Sequence, residues 1–106
     1  FKLCPCCDYH LLKNYMKQNP IASVGQMVSN DYFYQPDFKW HEAFARMGVL
    51  AVDMETHVLY SLAMRFGKRA LSVNTVSDHL SSGEEMTSLE REQGLNYMIR
   101  SVLESL

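Results

Sequence analysis

The chain has 106 residues, 47% of them hydrophobic, and a formal net charge of −2. That suffices for one domain with a core and is too short for two. The charge offers no basic footprint for nucleic acid, and no apolar run approaches the roughly 20 residues that span a membrane.

Residues 1–8 (FKLCPCCD) are too short, and too soon polar, for a signal peptide. They also lack an initiator Met, so the chain is expected to begin partway through a larger protein. Cys4, Cys6 and Cys7 cluster here with His10 nearby. A metal site usually takes four ligands in two separated pairs. No second cysteine pair follows, and His41, His57 and His79 are scattered, so no metal is expected. An odd cysteine count without a secretory signal suits a reducing compartment, which points to the cytoplasm.

Asp8 can cap a helix running to about Asn19, with Leu11, Leu12, Tyr15 and Met16 on one face; Pro20 ends it. Residues 21–28 read as a strand, weakened by Gly25, which suggests a bulge. A polar and aromatic loop follows over residues 29–36. Asp37 opens a second helix through Phe38, His41, Phe44, Ala45 and Met47, and Gly48 stops it. Residues 49–54 form a buried type of strand. Residues 55–66 form a helix with few charges, expected to be largely buried, with Gly67 just past its end. Residues 69–77 read as a third strand and 79–86 as a loop. Residues 87–90 (TSLE) match a capping box for a final helix reaching about Leu106.

Alternating helices and strands argue for an α/β fold. The expectation is a three-layer α/β/α domain with a largely parallel or mixed central sheet, incomplete as it stands. Three strands make a small sheet with exposed edges. The whole of 1–106 is taken as a single partial domain.

Two stretches carry the functional signal. Residues 49–56 (VLAVDMET) and 71–79 (LSVNTVSDH) are apolar, β-branched runs that end in acids. Ligands of open α/β sheets bind at the carboxyl ends of strands. Glu55 and Asp78, delivered there, suggest a site for a polar small molecule. The alternative is that both are ordinary helix caps or loop acids. Asp78 could serve as a proton donor if a partly closed pocket raised its pKa. Arg91 lies near the positive end of the last helix, where a cation is disfavoured. Its position hints at a partner carboxylate or a ligand, the alternative being a solvated arginine paired with Glu90 or Glu92. Tyr32, Phe33 and Tyr34 sit in a loop and could stack on a flat base or sugar, or serve as packing anchors. Met54 could wall a pocket or belong to the core. No glycine-rich phosphate loop is present.

Residues 52–56 (VDMET), 74–79 (NTVSDH) and 29–34 (SNDYFY) resemble three blocks of the bacterial hexameric purine nucleoside phosphorylases. They stand in that family's order and at matching separations. The likeness extends through residues 66–67, 83–85, 89–91 and the final helix, covering roughly 21–106.

The resemblance implies phosphorolysis of a purine (deoxy)ribonucleoside to the free base and (deoxy)ribose 1-phosphate. Asp78 falls on the family's general acid, which protonates N7 of the leaving purine, and Arg91 on the arginine that assists. Glu55 matches the carboxylate binding the ribose hydroxyls, and Met54 the methionine packed on the sugar. Phe33 matches the base-side aromatic, and Ser77 a residue lining the base pocket. Asp53 stands where the family often has glutamate beside the sugar. A close Arg91 would favour the charged form of Asp78, so its approach is expected to accompany ligand binding and ordering of residues 79–86. No cofactor is implied beyond phosphate as co-substrate. The family's phosphate-binding loop and arginines lie in an earlier part of its chain, and further groups come from a neighbouring subunit. The 106 residues are therefore expected to be inactive alone and to belong to a homohexamer, a trimer of dimers. A nucleosidase of the same superfamily, using water in place of phosphate, and a noncatalytic nucleoside-binding module are the other readings.

Overall fold

The computed structural model describes residues 3–32, 34, 36–37 and 39–106. Helix α1 spans Tyr9–Gln18, strand β1 Met27–Ser29, helix α2 Trp40–Arg46, strand β2 Ala51–Asp53, helix α3 Thr56–Arg65 and helix α4 Ser88–Ser105. The strands pair in parallel, Met27 with Ala51, Val28 with Val52 and Ser29 with Asp53. A parallel pair needs a crossover, which α2 supplies. The fold is thus α/β, with a small parallel sheet.

Local chemistry explains most boundaries. Asp8 Oδ2 accepts the Leu11 N–H at 3.0 Å and caps α1. At α4, Thr87 Oγ1 accepts the Glu90 N–H at 3.1 Å, and Glu90 Oε1 accepts the Thr87 N–H at 3.2 Å, a complete capping box. Helix α3 ends in a Schellman motif. Gly67 N–H donates to Met64 at 3.3 Å and Lys68 N–H to Ala63 at 2.8 Å, with Gly67 at φ +63°. Gly48, at φ +86°, closes α2 in the same way.

Several expectations need correction. Residues 69–77 are not a paired strand. Ala70 carbonyl accepts the Asp8 N–H, Ser72 N–H donates to the Tyr60 hydroxyl and Ser77 carbonyl accepts the Met86 N–H. These groups go to helix-start, side-chain and loop partners instead of a ladder. Strand β1 is three residues long, not eight, because residues 20–22 turn. Gly25 precedes the ladder and is no bulge; it sits where a Cβ would come within 2.4 Å of Leu50 Cδ1. Helix α2 starts at Trp40, since Asp37 Oδ1 takes the Lys39 N–H at 2.9 Å and builds a turn first. Phe38 lies outside the described residues.

Helix α1 packs on α4, and α3 on β1. Tyr15 is the buried apolar residue among those described, and its hydroxyl meets buried Ser101 Oγ at 3.0 Å. Helix α3 is not largely buried as expected: Val58, Leu59 and Leu62 are each about half exposed. The surface of 8912 Å² exceeds the ~6,100 Å² of a compact monomer of this mass. The apolar stripe that would cover a sheet is therefore present but open, as in an incomplete layer. An apolar cleft of about 450 Å³ lies where Leu11, Tyr15, Leu59, Leu71 and Val102 converge.

Candidate active site

The carboxyl ends of β1 and β2 lie side by side, since Ser29 and Asp53 are register partners and Asn30 N–H donates to the Asp53 carbonyl at 2.9 Å. From this edge the chain leaves β1 into the aromatic loop and leaves β2 through Met54 and Glu55 into α3. This is the location where parallel sheets bind ligands.

Asp53 points inward. Its Oδ1 accepts from Ser29 Oγ at 2.7 Å. Its Oδ2 accepts from the Thr56 N–H at 3.1 Å and, by a short bond, from the Thr56 hydroxyl. Burial pushes the Asp53 pKa up, but the hydroxyls of Thr56 and Ser29 and the N–H groups of Thr56 and Glu55 outweigh it, so the carboxyl sits below its ordinary value. The network continues outward. Ser29 Oγ accepts the His57 N–H at 2.9 Å, Thr56 Oγ1 lies 2.9 Å from Ser72 Oγ, and Asn74 Nδ2 donates to Ser72 Oγ at 2.8 Å. One buried threonine thereby ties β1, β2, α3 and the extended segment before Asp78.

Glu55 occupies the N-cap position of α3, yet its side chain makes no capping bond. Asp53, two residues earlier, takes that task through the Thr56 N–H. The Glu55 carboxylate is left exposed at the strand end, where its Oε2 accepts the Met54 N–H at 3.3 Å. Met54 is exposed beside it.

Asp78 is no helix cap either. Residues 77–86 fold into a closed loop: Met86 N–H donates to Ser77 at 2.8 Å, His79 N–H to Glu84 at 2.7 Å and Gly83 N–H to His79 at 2.8 Å, with Asp78 bridged antiparallel to Glu85. The capping box starts α4 immediately afterwards. Arg91, one turn in, extends Nη2 to Asp78 Oδ1 at 3.1 Å. The arginine's partner is thus Asp78, not Glu90 or Glu92. The contact expected to accompany ligand binding is already formed, with the loop folded. Both side chains are about half exposed, so the pair contributes between zero and about 1 kcal/mol to stability and can exchange readily. Ser77 Oγ donates to Asp78 Oδ2 at 3.3 Å.

The structure therefore assembles two groups: Ser77, Asp78 and Arg91 on one loop and helix start, and Asp53, Met54 and Glu55 at the β2 end. No hydrogen bond or ion pair among the described residues joins them. Phe33 lies outside the described residues. Sequence reasoning missed Ser29, Thr56 and Ser72; the available signal was a hydroxyl at a strand end for Ser29 and at a helix start for Thr56, with none for Ser72. Among the described residues, no three His, Cys, Asp or Glu side chains come together to hold a metal ion. Cys4, Cys6 and Cys7 are thiols, and burial, then the neighbouring Cys6, pushes the Cys7 thiol up. No helix among the described residues is long and apolar enough to cross a membrane.

Comparison with known proteins places this arrangement in context. The chain is 47% identical over 105 residues to the DeoD-type purine nucleoside phosphorylase of Geobacillus kaustophilus, covering 95% of this chain and 44% of that protein. It is 44% identical over 107 residues to the DeoD-type purine nucleoside phosphorylase of Bacillus subtilis, covering 96% of this chain and 45% of that protein. A third DeoD-type enzyme, from a Geobacillus species, is 52% identical over 82 residues, 77% of this chain and 34% of that protein. The chain thus spans somewhat less than half the length of these curated relatives. A family model described as the phosphorylase superfamily matches residues 5–100. By that match, which takes in both acid-bearing segments, the chain belongs to the phosphorylase superfamily.

Proposed function

We propose that this chain is the nucleoside-binding part of a purine nucleoside phosphorylase. The protein carrying it cleaves purine (deoxy)ribonucleosides with phosphate to give free base and (deoxy)ribose 1-phosphate. The observation that carries the reading is the contact between Asp78 and Arg91 at the end of the extended segment, in a chain so similar to DeoD-type enzymes. Breaking the N-glycosidic bond sends its electron pair to the purine and builds positive charge on the sugar. Asp78, which must first take up a proton against the pull of Arg91, donates it to N7, so the base leaves neutral, and a phosphate oxygen bonds to the anomeric carbon. Positioned acid catalysis of this kind contributes about 10²–10⁴-fold.

Arg91 assists that transfer, drawing the carboxylate back into charge as the proton departs. Glu55, released from capping, holds the ribose hydroxyls, and Met54 packs on the sugar. Ser77 lines the base pocket, and Phe33 faces the base by its place in the resemblance. Phosphate is the co-substrate, with no metal or organic cofactor. The working protein is a cytoplasmic homohexamer, and these 106 residues are inactive alone.

Purine release from inosine and adenosine, with and without phosphate, tests this on the chain and on the full-length protein that contains it. Phosphate-dependent release by the full-length protein alone is expected. Phosphate-independent release would replace the reading with a nucleosidase, and no release with a binding module.

A further inference from the structure

We infer that Asp53 is a positioning residue: with Ser29 and Thr56 it forms a clasp that sets the Glu55 carboxylate for the ribose, and it makes no sugar contact itself. This rests on the proposed phosphorolysis. A carboxylate offers about four acceptor sites. Asp53 receives Ser29 Oγ on one oxygen and the Thr56 N–H and hydroxyl on the other, while the Glu55 N–H faces the same group. A sugar hydroxyl would have to displace one of these donors. The donors themselves belong to the site's frame. Ser29 ends β1 and also takes the His57 N–H, and buried Thr56 is the first residue of α3. Glu55 lies between Asp53 and Thr56 in sequence, so its backbone is pinned on both sides.

The clasp also explains why Glu55 does not cap α3. Asp53 already satisfies the Thr56 N–H and Ser29 Oγ the His57 N–H, so the longer side chain is not drawn back over the helix end. Removing any strand of the clasp should loosen Glu55 without touching Asp78 or Arg91, which chemistry depends on. Binding of ribose should suffer and the bond-breaking step should not.

The test uses the full-length protein and steady-state kinetics on a purine ribonucleoside and its 2′-deoxy counterpart. Asp53→Asn, Ser29→Ala and Thr56→Val are each expected to raise KM for the ribonucleoside about 10-fold, with kcat within about 3-fold, as loss of a hydrogen bond to a charged group implies. The rise should be smaller for the 2′-deoxy substrate. Thr56→Ser should restore KM, and the Ser29→Ala, Asp53→Asn double variant should be no worse than its worse single. A KM defect confined to Asp53→Asn would overturn the inference in favour of direct sugar contact. Unchanged KM in all three, or a loss in kcat alone, would overturn it outright. Should Asp53→Asn not fold, Ser29→Ala, which removes one bond, decides. A wild-type protein without phosphate-dependent turnover would overturn the underlying reading together with the inference; normal wild-type turnover with silent variants overturns the inference only.

Discussion

Arg91 Nη2 lies 3.1 Å from Asp78 Oδ1, joining the start of α4 to the closed loop after the extended segment. The contact gives the arginine a reason to stand near a helix end that disfavours cations. It also gives the carboxylate a partner that can stabilise its charge once a proton has left. Because both groups are half exposed, the pair adds little to stability.

Arg91→Ala should therefore lower kcat of the full-length enzyme by about 10-fold or more, with KM for nucleoside little changed. Thermal unfolding should shift hardly at all. Unchanged turnover would remove Arg91 from the reaction.

Asp53 sits below its ordinary value because hydrogen bonds to its charged form outweigh burial. A depressed folded-state value means that the stabilisation is fully present above the ordinary carboxylate pKa of roughly 3.9, and is lost as pH falls through the lowered value. Denaturant unfolding of wild type should weaken as pH drops below about 4. Asp53→Asn should start weaker and lose less over the same window. Parallel pH profiles for the two proteins would contradict the assignment.

Gly67 closes α3 at φ +63°, with open space where a Cβ would stand. Gly67→Ala should cost about 1 kcal/mol through backbone strain alone. Equilibrium unfolding would read this, and kinetics with nucleoside should not move.

Tyr15 and Ser101 share a 3.0 Å hydrogen bond between α1 and α4. Ser101 Oγ also donates to the Met98 carbonyl at 2.8 Å, so the tyrosine hydroxyl is the donor of the pair. Tyr15→Phe should cost about 1 kcal/mol, and Ser101→Ala about 1–3 kcal/mol, because the latter strands a buried hydroxyl. Urea unfolding midpoints would rank the two.

Caps and stops were legible in the sequence, since each depends on neighbours within a few residues: Asp8, the Thr87–Glu90 box, Gly48 and Gly67 all stand where their chemistry put them. The α/β class and the parallel pair of strands were legible from alternation. The third strand was not, because β-branched composition shows that residues 69–77 can be extended but not what they pair with. Exposure of α3 was hidden for a related reason: an apolar stripe states what a helix must bury, not whether the covering layer is at hand. A carboxylate partner for Arg91 was legible, because a cation near a helix start calls for one, and Asp78 supplies it. The wider bonding of Asp53 was not, because its other oxygen is held by Ser29, 24 residues away, in the neighbouring strand.

The central claim is that Asp78 acts as the acid in a phosphate-dependent cleavage. The most direct measurement is purine release from inosine by the full-length protein, wild type and Asp78→Asn, with and without phosphate. The account predicts release by wild type only when phosphate is present, and a fall of about 10²–10⁴-fold in kcat for the variant. Release independent of phosphate, or a variant as fast as wild type, would contradict it.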